Sequence, residues 1–215
     1  MAEKLSQRVI AQAALEAIDA DGIDQLTMRR LAQHLGSSPM ALYTYFPDKA
    51  ALLDGVAQLL LAEVETPPEE AHWRDAMRFI MRSVREVALR HRNAAGLIHR
   101  YPPRTPDALA FVEAGFRSFR RAGFDDLSTA RCYRALAAYS LGTLDIELGG
   151  YFGGADTEAG KAEALVSPTA DKLLPRVTAV APLLQQQNDA DEFEYGLELL
   201  LDGFAEAMTR TGKAV

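Results

Sequence analysis

Apolar residues recur every three to four positions in stretch after stretch of this 215-residue chain, and no stretch of useful length alternates apolar with polar residues. The first pattern gives a helix one buried stripe and the second gives a strand one buried face, so the chain is predicted to be all-α. Val9, Ile10, Ala13, Ala14, Ala17 and Ile18 set a helix over about 5–20, ended by Asp21-Gly22. Thr27 is placed to cap a short helix whose inward face is Met28, Leu31, Ala32 and Leu35, and Gly36 reverses the chain. Ser38 and Pro39 open a helix of only two turns, with Leu42 and Phe46 inward. Asp48 then caps a longer helix carrying Leu52, Leu53, Val56, Leu59, Leu60 and Val64 inward, until Pro67-Pro68 stops it.

Beyond the double proline, Trp73, Met77, Ile80, Met81, Val84, Val87 and Ala88 trace one face of a long helix, while Arg74, Arg78, Arg82 and Arg85 fall largely on the other. A short helix over 94–101 leads into the proline corner Tyr101-Pro102-Pro103-Arg104-Thr105-Pro106. Leu109, Val112, Phe116 and Phe119 mark the next helix. After the Gly123-Phe124 turn, Tyr133, Leu136, Ala137, Ser140, Leu141, Leu144 and Leu148 mark another. Residues 149–169 hold five glycines and little periodicity, which reads as a mobile loop. A helix from Leu173 to Leu184 follows. Asp189-Ala190-Asp191-Glu192 has capping-box spacing before a last helix carrying Phe193, Leu197, Leu200, Leu201, Phe204 and Met208.

Charge and cysteine usage narrow the function. The formal charge of −7 and a pI near 5.2 exclude a chain coated in positive charge, so any contact with nucleic acid must be local. The lone Cys132 cannot pair internally, no Cys/His cluster has zinc-ligand spacing, and no run of 18 apolar residues or signal-type block occurs. A cytoplasmic protein without a membrane segment, metal site or cofactor is expected. Helix, glycine turn and short helix over 27–46 is the helix-turn-helix layout, whose second helix enters the major groove of double-stranded DNA. Its outward positions, Met40, Ala41, Tyr43, Thr44 and Tyr45, leave it polar or small where a packing helix would be apolar. Thr27, Arg29, Arg30 and Lys49 surround it with phosphate donors. Residues 25–50 hold three Lys or Arg against one Asp, whereas 51–215 hold 18 against 24 acidic residues, so the basic charge sits where a duplex would pass.

Leu26-Thr27-Met28-Arg29-Arg30-Leu31-Ala32-Gln33-His34-Leu35-Gly36, followed by Ala41-Leu42-Tyr43-Thr44-Tyr45-Phe46-Pro47-Asp48-Lys49 and Leu52-Leu53, resembles the signature of TetR-family transcriptional repressors. The resemblance implies a DNA-binding domain over 1–50 and a helical bundle over 51–215 for ligand binding and dimerisation. Carried over by position, Thr27, Arg29, Tyr43 and Lys49 would hold phosphates, while Pro39, Met40, Ala41, Thr44 and Tyr45 would face base edges. A short helix reads few base pairs, so a homodimer on a palindromic operator is expected. The family dimerises through its last long helices, here about 127–148 and 190–210, where Gly142, Gly196 and Gly203 would allow close approach.

The resemblance also implies a small-molecule effector within the bundle, with Trp73, Met77, Met81, Phe111, Phe116, Tyr133 and Tyr139 as candidate lining and ordinary core packing as the alternative for each. His99 and Arg104 flank a corner similar to one where tetracycline-binding members hold a drug-bound magnesium ion. The partners in reach would be Asp145 or Glu147, and a plain His or Arg at a helix corner is the alternative. Effector binding would shift the helix at about 49–65 and release DNA; an activator, a ligand-independent regulator and a helical adaptor stay open as alternatives. No Gly-x-Ser-x-Gly elbow, Walker loop or His-Glu-x-x-His occurs, and Gly149 to Gly154 lacks the strand-turn-helix setting of a dinucleotide loop, so no enzyme is expected.

Overall fold

The computed structural model of the chain describes residues 5–149, 174–184 and 188–211, and among these residues there are α-helices and no strand. They are α1 (Gln7–Asp21), α2 (Met28–His34), α3 (Pro39–Tyr43), α4 (Lys49–Ala62), α5 (Trp73–Arg90), α6 (Gly96–Arg100), α7 (Pro106–Arg121), α8 (Asp126–Gly149), α9 (Pro175–Leu184) and α10 (Asp189–Thr211). By its internal contacts the chain divides into two compact units, Met1–Arg131 and Cys132–Val215, with α8 running across the division.

The first three helices owe their ends to local chemistry. Ser6 Oγ accepts from Val9 N, Thr27 Oγ1 from Arg30 N and Ser38 Oγ from Ala41 N, each satisfying an N–H that the helix leaves unpaired. Gly22 closes α1 at φ 85° and Gly36 turns the chain between α2 and α3 at φ 59°, a region that side chains other than glycine enter at a cost. A 3₁₀ turn over Ile23–Gln25, unmarked by any periodicity, links α1 to α2. The recognition-type helix is shorter than expected: it spans Pro39–Tyr43, and Tyr45 N and Phe46 N both bond back to Leu42 O as the turn tightens. Ile10, Ala14, Ile18, Leu42, Leu52 and Val56 are fully buried and hold α1, α3 and α4 on one core, each large side chain contributing about 1.5–3 kcal/mol.

Asp48 caps α4 by accepting from Ala51 N at 2.8 Å. At Gly55 a methyl group would lie 2.9 Å from Phe46 Cε1 and 3.7 Å from Ala11 Cβ, so the missing side chain is the seat of the Phe46 ring. Gly115 of α7 does the same for α5, since a Cβ there would sit 3.2 Å from Met77 Cε. Trp73, Phe119 and Phe124 close that packing as an aromatic cluster with centroids 4.9–5.8 Å apart. Leu109, expected inward, is exposed; the buried stripe of α7 runs through Ala108, Phe111, Val112, Gly115, Ser118 and Phe119 instead.

In the second unit α8 and α10 meet where Tyr139 donates its hydroxyl to Phe193 O at 2.7 Å and its ring lies 5.8 Å from that of Phe193. A Cβ on Gly196 would fall 2.5 Å from Tyr139 Oη, so this glycine serves packing within the chain. The box expected at Asp189 is displaced by one residue: Asn188 caps α10, its Oδ1 accepting from Ala190 N and its Nδ2 donating to Asp191. The glycine-rich stretch expected to be a mobile loop lies, from residue 150 onward, outside the described residues.

Candidate nucleic-acid interface and effector side

The reading head presents its expected residues in two ways. Arg29, Pro39, Met40, Tyr43 and Thr44 are exposed, Met40 at 75% of its surface and Tyr43 at 44%. Thr27 is exposed too, with its hydroxyl oxygen committed to the α2 cap. Ala41, Tyr45 and Lys49 are half-buried. Tyr45 donates its hydroxyl to Leu5 O at 3.0 Å, and Gln7 Nε2 donates to Tyr45 O at 3.2 Å, so the start of α1 is clasped to the end of α3. Lys49 Nζ donates to Ile23 O at 3.1 Å and Arg30 pairs with Asp21 at 2.9 Å while donating to Gln25 O, which ties the 3₁₀ turn from both sides.

On the effector side the structure separates the candidates. Trp73 and Met77 are buried in packing against α7, and Met81 and Phe111 are buried as well, with Phe116 half-buried. His99 is half-buried at the end of α6, and its Nε2 is enclosed with no hydrogen-bond partner. Burial holds its imidazole below the ordinary histidine value, so the ring is neutral near pH 7. Arg104 turns to α4 and pairs with Asp54 Oδ2 at 2.8 Å. Tyr133 and Tyr139 belong to the second unit, where burial raises both phenols and the Tyr139 hydroxyl is held by α10. Asp145 and Glu147 lie in that unit also, and among the described residues no group of three His, Cys, Asp or Glu side chains is arranged to hold a metal ion.

Two polar joints on α4 escaped sequence reasoning. Gln58, only 9% exposed, accepts from Arg104 N at 2.7 Å and Thr105 N at 3.3 Å, and donates to Pro102 O at 3.0 Å. One amide therefore satisfies three backbone groups of the proline corner. At the end of α4, Glu63 Oε2 takes Arg90 at 2.6 Å and His91 Nε2 at 3.2 Å, while His91 Nδ1 lies 2.7 Å from Asp19 Oδ2 of α1. A lone Gln on an otherwise apolar stripe was the available signal for the first joint; nothing local marks the second.

Comparison with known proteins gives this geometry its context. Residues 10–56 match the model of bacterial regulatory proteins of the tetR family, and residues 66–208 match that of the tetracyclin repressor-like C-terminal domain. The chain belongs to the TetR family. As a TetR regulator it is a ligand-responsive transcriptional repressor and not an enzyme. It is 30% identical over 205 residues to the class A tetracycline repressor protein from transposon 1721 of Escherichia coli, covering 94% of this chain and 91% of that one. It is 29% identical over 208 residues to the transcriptional repressor DrrR1 of Streptomyces coeruleorubidus, covering 90% and 75%. Among solved structures, ActR of Streptomyces coelicolor in complex with actinorhodin superposes with a TM-score of 0.85 at 28% identity, covering 95% of this TetR chain and 99% of ActR.

Proposed function

We propose that this protein reads a palindromic operator as a homodimer and lets go when a small organic molecule binds, with residues 1–50 as the reading head and 51–215 as the effector and dimerisation part. The observation that carries the reading is the double engagement of α4. Through Gly55 it seats Phe46 behind the recognition helix, and through Gln58 it is hydrogen-bonded to the corner at 102–105. Whatever displaces that corner pulls on the helix that holds the head. Only an effector that binds the two arrangements unequally shifts them, and a tenfold preference corresponds to about 1.4 kcal/mol.

A five-residue helix reaches few base pairs, so two heads about 34–36 Å apart supply affinity. Thr27, Arg29, Tyr43 and Lys49 are the phosphate-holding set, and Lys49 serves while bound to Ile23 O because its ammonium carries three protons. For the partner copy, Leu141, Tyr195 and Leu199 are about half exposed or more, and a groove of about 380 Å³ opens between Tyr139, Thr143, Leu183, Phe193 and Leu199. Such an apolar surface suits an isologous dimer. For the effector, the relatives named for tetracycline and the ActR complex with actinorhodin favour a molecule of that kind. Within the first unit, Met81, Phe111 and Phe116 supply apolar lining, and the unpaired Nε2 of His99 supplies a polar contact in a cytoplasmic setting.

The test is selection of duplexes from a random library by the purified protein at stated salt, followed by release assays with tetracycline and actinorhodin as probes. Enrichment of one palindrome bound by two chains is expected. A folded protein that enriches no sequence overturns the reading.

A further inference from the structure

The outward side of the recognition helix is nearly empty of the groups that read bases by hydrogen bonding. Guanine is read by Arg or Lys and adenine by Asn or Gln, and residues 38–46 contain none of the four. The hydroxyls there are largely committed to the protein. Thr44 Oγ1 donates to Met40 O at 3.2 Å, and Tyr45 donates to Leu5 O at 3.0 Å with its ring half-buried. Ser38 Oγ accepts the capping N–H of Ala41, and a serine hydroxyl, donor and acceptor alike, separates the bases poorly. What projects is apolar: Met40 at 75% exposure, the Pro39 ring and the γ-methyl of Thr44, with the half-buried Ala41 methyl between them. Tyr43 stands beside them in the phosphate-holding set.

In the major groove the group that an apolar side chain recognises is the C5-methyl of thymine. We infer, resting on the DNA reading proposed above, that this helix specifies its half-site through thymine methyl groups, with Met40 and Thr44 as specificity-determining residues and Tyr45 as a positioning residue. The base pairs beneath α3 are then A·T pairs with thymines set to meet Met40 and Thr44. Tyr45 acts through the clasp on Leu5 and Gln7, which fixes the angle between α1 and α3.

Deoxyuridine tests this without touching the protein, because it removes the methyl and keeps every hydrogen-bonding group of thymine. In the selected operator, each thymine beneath α3 replaced singly should weaken wild-type binding about fourfold, the effect of one buried methyl. Met40→Ala should erase that penalty at one position and Thr44→Ser at another, while Thr44→Val keeps it. Tyr45→Phe should weaken operator and unrelated duplex by the same factor and select the same sequence.

Equal binding of thymine and uracil duplexes overturns the inference, as does a Thr44→Val protein that loses binding while Thr44→Ser keeps it. A changed selected sequence with Tyr45→Phe would overturn the positioning role. Failure of the wild-type protein to enrich any palindrome is seen before uracil is introduced, and it sinks the underlying reading instead.

Discussion

Single side chains decide several close approaches in this fold, and glycine 196 is the tightest of them. A methyl added 2.5 Å from Tyr139 Oη cannot be accommodated unless the Tyr139 ring, bonded to Phe193 O, gives way, and overpacking of this kind costs about 1–3 kcal/mol. Gly196→Ala should lower the thermal midpoint, and the loss should shrink in a Tyr139→Leu background, a coupling that a double-mutant cycle measures. His99 makes a different prediction. Burial lowers its folded value below 6.5, so the unfolded chain holds that proton more tightly. The stability tied to the neutral ring is complete above about pH 6.5 and is lost as pH falls through the lowered folded value. His99→Gln should therefore flatten the decline of the thermal midpoint on acidification below that point, and an unchanged decline would place the titrating group elsewhere.

Among the elements, α4 concentrates the connections. Replacing Gln58 by Leu strips partners from Arg104 N, Thr105 N and Pro102 O, at about 1–3 kcal/mol for the groups left unmet. The variant should still bind operator but respond less to effector; a variant that binds and releases like the parent would remove Gln58 from the coupling. This joint also marks where sequence reading stops. Thr27, Ser38 and Asp48 were legible as caps because capping chemistry acts over three residues, and the exposure of Met40, Tyr43 and Thr44 followed from the buried Leu42, whereas Ala41 and Tyr45 turned out half-buried. Gln58 finds its partners 44–47 residues away and His91 meets Asp19 across 72, distances over which no spacing rule operates. Leu109 was misplaced for a related reason: its neighbours on α7 fit either stripe, and packing against α5 through Gly115 and Met77 selects the other. The α10 cap slipped by one residue because Asn188 competes for the same role as Asp189.

On the scale of the molecule, a chain of net charge −7 meets DNA through a reading head whose residues 25–50 hold three Lys or Arg, so affinity should depend on a small number of phosphates. Arg29→Ala with Lys49→Ala should weaken binding to all duplexes alike, and the slope of log affinity against log salt should shrink by about 0.9 for each phosphate that is no longer neutralised. An unchanged slope would show that neither residue meets a phosphate. Cys132 has a further consequence. It is the chain's one cysteine, 6% exposed, and burial pushes its thiol up to about 11, so at neutral pH it is protonated and shielded. The surface is thus chemically blank toward maleimides and methanethiosulfonates. A cysteine introduced at exposed Ser38 would take a spin label on each copy of a dimer, and the distance between the two labels would report, in solution, how far apart the reading heads stand.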